Sequence, residues 1–474
     1  MNYKALILAV LIVVCGSCAK EPESSKDEIS VVEITDLEKV KNDIYAMAEA
    51  SEEVNLLDEG KLVKHMRIDE SGEIVEDGSG AYFDQMISVA QGDLLRFSIA
   101  AGTSYPTTRR LYYFDQDGNI IGAPLVSSGD LIRITEGISY VSAQIFYNDE
   151  SNCDQGVSLA KVTPMVWEPK ELGGGFVTSL GDDGYENAFQ DISYKRFLGE
   201  YWDCYVGEKE GYKVSKVALG LDAGQQTNYF YVFEPEEYAY TVLISAGMNA
   251  CELSPIFGLA SFMKGVMDDE QLLPLKNGIR FVVLPVICPS SFDASPKQYL
   301  NPNGVRINKN FDYAGSWYMT STDGRGTKGD YPDSEPETQA LKKWLHLYAG
   351  ANLYIDCHSD LNNDINYLFD TVFSDNQIMA NAINAQNNMA ALYGQKGYFS
   401  GDPAIRNWLE PGDVYPKTKY AKETLGISAM MIEQWEKSSA YGGNATVQCE
   451  ENSIRNYATM IEQYVLYHIV GSGY

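Results

Sequence analysis

The stretch Tyr240-Thr241-Val242-Leu243-Ile244-Ser245-Ala246-Gly247-Met248-Asn249-Ala250-Cys251-Glu252 decides how the second half of this chain is read. An apolar run of strand length ends in small residues and then in polar, metal-competent ones, and an apolar helix is predicted to begin near Pro255. Two further runs share this plan. Leu353-Tyr354-Ile355-Asp356-Cys357 leads into His358, and Ile427 to Ile432 leads into Glu433. Buried strands alternating with helical segments predict an α/β sheet with helices on both faces. In open α/β sheets ligands bind outside the carboxyl ends of the strands, so two carboxylates and an imidazole are expected to meet at one edge. From spacing alone, three unrelated, solvated strand ends are the favoured reading, because each piece is weak by itself.

The order of the blocks carries more than any one of them. Gly247-Met248-Asn249-Ala250-Cys251-Glu252 is followed by Gly304-Val305-Arg306-Ile307-Asn308-Lys309-Asn310-Phe311, then Ser334-Glu335-Pro336-Glu337-Thr338, then His358-Ser359, then Glu433. This order resembles the zinc carboxypeptidases of the carboxypeptidase A type, across about residues 189–474. In that family a strand precedes Gly-x-His-x-x-Glu, a Gly-Val-Asp-Leu-Asn-Arg-Asn-Phe block and Ser-Glu-Pro-Glu-Thr follow, and a strand ending in His-Ser supplies a third ligand. The resemblance implies a mixed-sheet α/β domain and a zinc ion on the positions of Asn249, Glu252 and His358. It implies Glu433 as general base, and Asn308, Lys309 and Tyr420 as substrate-binding residues, with Tyr415 a rival to Tyr420. Two His and one Glu leave such a zinc a position for water, whose pKa the metal lowers. The glutamate then moves that water's proton.

The sequence departs from the family where the chemistry is most exacting. Asn249 stands where the family has its first His ligand, and a neutral amide is a poorer zinc donor than imidazole. Lys309 replaces the arginine of the carboxylate grip, keeping charge but losing the bidentate fork. Tyr299, with Lys297 nearby, falls where an oxyanion-stabilising arginine belongs. Zinc is therefore expected to be weakly held or absent. Two functions follow as expectations. One is a hydrolase releasing C-terminal residues from peptides by zinc-activated water. The other is a catalytically impaired carboxypeptidase fold that binds a peptide or a glycan-linked peptide at a surface.

Upstream, strand-like runs at Leu94–Ile99, Leu111–Phe114, Leu131–Ile134 and Tyr140–Tyr147 are punctuated by turn signals, which predicts a small β-sandwich. Asp115-Gln116-Asp117-Gly118-Asn119 reads as a hairpin turn, since it lacks the remaining positions of a calcium loop. Leu37, Val40, Ile44 and Met47 recur at helical spacing. The expected organisation is a signal over residues 1–18, a tether and short helix over 19–60, the β-sandwich over 61–163, a Pro/Gly-rich linker over 164–188 and the carboxypeptidase-like domain over 189–474. Lys4, the apolar run Ala5–Val14 and the small residues before Cys18 resemble a bacterial lipoprotein signal with Cys18 acylated. That predicts an exported protein, lipid-anchored to a cell-envelope membrane. A formal net charge of −30 argues against nucleic acid as a partner, because phosphate binding needs a basic surface. The six cysteines downstream of Cys18 are compatible with disulfides in an exported protein, though their pairing and the oligomeric state are not legible.

Overall fold

The computed structural model describes residues 54–69, 73–99, 109–126, 131–146, 157–162, 192–320, 326–361, 369–373, 416–436 and 451–471 apart from positions 92 and 210, together with residues 39–44 and isolated positions such as Met47 and Trp167. Cys18, the signal and the charged tether, Cys153, Cys449, Gly173–Gly175 and Tyr415 lie outside the described residues. None of the described helices is long and apolar enough to cross a membrane.

Ten strands precede the α/β region: β1 (Val54–Asn55), β2 (Leu62–Ile68), β3 (Ile74–Phe83), β4 (Ile87–Ser88), β5 (Leu94–Ser98), β6 (Arg110–Phe114), β7 (Ile120–Gly122), β8 (Leu131–Arg133), β9 (Tyr140–Phe146) and β10 (Ser158–Val162). They form two antiparallel sheets, one in the order β1-β10-β5-β8 and one in the order β2-β3-β9-β6-β7, with β4 added to β9. Leu95, Phe97 and Leu159 from the first sheet share one core with Phe83, Leu111, Val141, Ala143 and Ile145 from the second. Two sheets burying alternate residues against each other make an accessory β domain of the kind the strand pattern predicts. The turn between β6 and β7 is closed by Asp115, whose Oδ1 accepts the backbone N–H groups of Asp117 and Asn119, as a hairpin turn requires.

The second half is a mixed α/β sheet of eight strands: β11 (Gly207–Lys209), β12 (Tyr212–Leu221), β13 (Thr227–Pro235), β14 (Tyr240–Ser245), β15 (Ile279–Leu284), β16 (Leu353–Leu361), β17 (Phe369–Phe373) and β18 (Ser428–Glu436). Their spatial order is β11-β12-β13-β15-β14-β16-β18-β17. β15, β14, β16 and β18 run parallel, flanked by antiparallel partners. β14 is buried at every residue, as a strand covered on both faces must be. β13 instead largely alternates buried and half-buried positions.

The helix Leu253–Asp268 begins two residues before Pro255 and is apolar nearly all round, so it is buried on nearly all sides. It packs against the helix Glu451–Gly471. Gly258 makes that approach possible, because a Cβ there would lie 2.5 Å from the Cβ of Tyr457. Tyr457 in turn places its hydroxyl 3.0 Å from the carbonyl oxygen of His358 and 3.2 Å from that of Ile432, on adjacent strands. A single phenolic proton serves one carbonyl at a time, so this hydroxyl clamps the two strands that carry the candidate site.

Segments read from sequence as tether and linker also contribute to the large core. Residues 39–44 are helical. Ile44 and Met47 are buried in the same cluster as the α/β strands, and Trp167 joins them. Trp167 stands edge-on to Phe262 at 6.4 Å and fills the space over Gly265, where a Cβ would meet its ring at 2.3 Å. Helical spacing at Val40, Ile44 and Met47 thus marks an apolar face whose partner is the α/β domain. Truncating a fully buried indole costs about 3–5 kcal/mol. Trp167→Ala is therefore expected to lower the stability of the α/β unfolding transition by that amount in urea titrations. A fragment starting at residue 189, which lacks Ile44, Met47 and Trp167, is expected to unfold at lower denaturant than the same transition in the full chain.

Candidate functional site

The turn after β14 begins at Gly247, with φ +66°, a conformation that suits glycine. A Cβ there would also lie 2.9 Å from the Cα of Val286. Ile287 and Cys288 donate their N–H groups to the carbonyls of Ala246 and Gly247, locking this turn to the segment after β15. Glu252 N–H then bonds the carbonyl of Asn249, and the helix Leu253–Asp268 starts. Asn249 and Glu252 are thereby held side by side at the end of β14, both buried.

β16 supplies the facing residues. Tyr354, Asp356 and His358 are spaced by two and share one face of the sheet. The register places Ser245 of β14 beside Asp356 and Glu433 of β18 beside His358, so all four residues project to one side. His358 and Glu433 lie within paired strands, not at their ends, because β16 and β18 continue past them as partners to Leu361 and Glu436. Glu433 is half-buried.

Glu252 is saturated with donors. Its Oε1 accepts the Asn249 side-chain amide N–H at 2.6 Å. Its Oε2 lies 3.0 Å from His358 Nδ1 and accepts the Ser359 N–H at 3.1 Å. On the other side of the imidazole, Nε2 is 3.3 Å from Asp356 Oδ2. Asp356 Oδ1 accepts the Ser245 hydroxyl at 3.0 Å, and Asp356 Oδ2 pairs closely with the ammonium of Lys417. Lys417, in the helix Pro416–Leu425, also donates to Asn308 Oδ1 at 2.6 Å and lies 3.2 Å from His358 Nε2.

The sequence-predicted residues Asn249, Glu252, His358, Asn308 and Glu433 are therefore brought to one edge of the sheet. Lys309 is half-buried at the position after Asn308, in the short helix Ile307–Asn310. Tyr420 is one turn along from Lys417 and faces elsewhere. Its ring packs on Phe311 at 5.4 Å, and its hydroxyl bonds Nε2 of His346. Tyr299 accepts a hydrogen bond from Arg306, and Lys297 is buried with its ammonium on the carbonyls of Ile192 and Phe292. Cys204, Cys251, Cys288 and Cys357 are not joined in disulfides.

Asp356 and Lys417 carried no weight in the sequence reading. Asp356 did leave a signal, a carboxylate inside an otherwise apolar strand with a polar residue two places on. Lys417 left none, since Lys417, Lys419 and Lys422 look like the solvated face of a short helix.

The donor set does not fit a catalytic zinc. Among the described residues no group of three or more His, Cys, Asp or Glu side chains could hold a metal ion. Asn249 turns its amide N–H to Glu252, and Glu252 spends both oxygens on Asn249, His358 and Ser359. Two side chains that would have to open toward a shared ion hold each other and the imidazole instead. A zinc bound by three protein ligands has no such set here.

The four ionisable groups balance one another. For His358, burial opposes the charged form, but Asp356 and Glu252 outweigh burial and the opposing charge of Lys417, and the imidazole is pushed up to about 9. For Asp356, burial favours the neutral acid, but the charges of Lys417 and His358 prevail and hold it far below the ordinary carboxylate range. A raised imidazole stabilises the fold fully below about pH 6.5, and that contribution disappears as pH climbs toward 9. A depressed carboxyl stabilises the fold above its ordinary value of 3.8 and loses that contribution as pH falls further. The melting temperature is thus expected to decline between about pH 7 and 10, and His358→Gln should flatten that alkaline limb in melting curves taken across the range.

With this geometry in view, the chain can be set beside known proteins. The zinc carboxypeptidase family, Peptidase_M14, matches residues 222–457. No curated protein matches. Solved structures that resemble the chain include a metallo-carboxypeptidase from Burkholderia cenocepacia, at 14% identity and TM-score 0.42, covering 88% of this chain and 98% of that one. Carboxypeptidase A from Helicoverpa armigera is 11% identical with TM-score 0.45, covering 82% of this chain and 100% of that one. Bovine thrombin-activatable fibrinolysis inhibitor, solved with tick carboxypeptidase inhibitor, is 17% identical with TM-score 0.42, covering 58% and 93%. The chain carries a carboxypeptidase-like fold of hydrolase lineage at low identity, without an intact metal-binding cluster among its described residues.

Proposed function

We propose that this protein is a peptide-binding member of the carboxypeptidase fold that holds its ligand without zinc hydrolysis. The observation that carries the reading is the closed state of Glu252, whose oxygens are taken by Asn249, His358 and Ser359. A carboxylate satisfied by three donors has little to gain from a metal that must displace them. Asn308 and Lys309, next to each other at the rim of the cluster, are the candidates for contact with a peptide's terminal carboxylate. The ligand is a peptide or a glycan-linked peptide, met outside the cytoplasm by a protein anchored through a lipid on Cys18. Nucleic acid is not proposed as a partner, in keeping with the charge of −30.

A second reading, zinc-dependent release of C-terminal residues with Glu433 as general base, is favoured by one feature. Glu433 is the register partner of His358, so a carboxylate stands beside the imidazole on the same face of the sheet.

The two readings separate in one set of measurements. Fluorescent peptides with free and amidated C-termini are titrated by polarisation, with chelator and with added zinc. Binding is expected to survive chelation and to weaken on amidation, and mass spectrometry should show no release of terminal residues. Zinc-dependent release that Glu433→Gln abolishes would establish the hydrolase instead. For the anchor, Cys18→Ser is expected to shift the protein from the membrane fraction to the soluble fraction. Unchanged attachment and mass would remove that part of the proposal.

A further inference from the structure

Lys417 is 1% exposed in its side chain, and its ammonium sits among atoms drawn from three separate elements. Asp356 Oδ2 comes from β16, Asn308 Oδ1 at 2.6 Å from the helix Ile307–Asn310, Met248 Sδ at 3.3 Å from the turn after β14, and His358 Nε2 lies at 3.2 Å. An ammonium has three protons and no lone pair. The three acceptors Asp356, Asn308 and Met248 match them, while His358 Nε2 lies 3.3 Å from the same Asp356 oxygen. This is a cation seat with a complete complement of partners, and the chain fills it with its own side chain.

The charges show what the seat does. Glu252 and Asp356 bring two negative charges into the buried edge of the sheet. The Lys417 ammonium pairs directly with Asp356, and both side chains are shut off from water. Unpaired buried charge is strongly destabilising, so a buried carboxylate at this position needs a cation from some source. In a metal-dependent hydrolase that source would be the ion. We infer that Lys417 is the resident cation of this site, a tethered ammonium that compensates the buried carboxylates in place of a metal and fixes Asp356, His358 and Asn308 in their observed positions. The native protein is then complete without any divalent ion. The inference stands apart from peptide binding, since a peptide can bind or fail to bind whether or not Lys417 supplies the charge.

The test has one arm on the native protein and one on a variant. Full-length protein purified without chelator is analysed for metal by plasma mass spectrometry, and its melting temperature is recorded with chelator and with zinc. Well under one equivalent of metal and an unchanged melting temperature are expected. About one equivalent of a divalent metal per chain, with a melting temperature that falls on chelation, would overturn the inference. Lys417→Ala is expected to melt lower by ~5 °C or more, because the buried carboxylate of Asp356 loses its ammonium partner. Propylammonium chloride restores the missing chain and charge, and should recover about half of that loss where equal sodium chloride does not. A variant that melts like the native protein, or one rescued equally by both salts, would mean that Lys417 is not the compensating cation. Should Lys417→Ala fail to accumulate as folded protein, the metal content and chelator response of the native chain decide the matter alone.

Discussion

Two carboxylates, Glu252 and Asp356, lie buried at the same edge of the large sheet, and the local structure is arranged around their charge. An ionised carboxylate removed from water is costly unless it is paired and hydrogen-bonded. Each of these two has both. Glu252 takes an amide N–H, a backbone N–H and an imidazole, and Asp356 takes a hydroxyl, the same imidazole and an ammonium. His358 joins them, which is why its proton is held to about 9 and why the acid form of Asp356 is disfavoured.

Meeting that requirement recruits elements far apart in the chain. Lys417 and Asn308 come from helices outside the sheet, Ser245 from β14, and the Ser359 N–H from β16. Behind the sheet the Tyr457 hydroxyl secures the backbone of β16 and β18, and it reaches them because Gly258 admits its helix. A change at Gly258 would therefore be felt at His358 without touching it. The parts of the site are tied from both faces of one sheet.

Part of the architecture was legible in the sequence. The apolar runs before Asn249, His358 and Glu433 are the strands they were expected to be, and the runs read at 94–99, 111–114, 131–134 and 140–147 coincide with β5, β6, β8 and β9. Gly247 is fixed in the sequence for a reason visible only in the fold, the contact with Val286. The apolar spacing of Val40, Ile44 and Met47 predicted a helix but could not say that its partner was the α/β core, since periodicity names a face and not what covers it. Tyr420 was expected at the substrate side, while the helix that carries it presents Lys417 to His358 and Tyr420 to His346.

What the sequence alone determined is the resemblance to the zinc carboxypeptidase plan, the strands that lead into Asn249, His358 and Glu433, and the amide at position 249. These are local facts, written in the alternation of side chains and in the identity of single residues. What only the tertiary structure decided is how that amide is accommodated. Ser245 lies 111 residues from Asp356 along the chain, Ser359 lies 107 from Glu252, and Lys417 lies 59 residues beyond His358. No local pattern marks a lysine whose side chain turns inward. A buried charge selects its partner by distance in space, and that distance exists only once the sheet and its helices have packed.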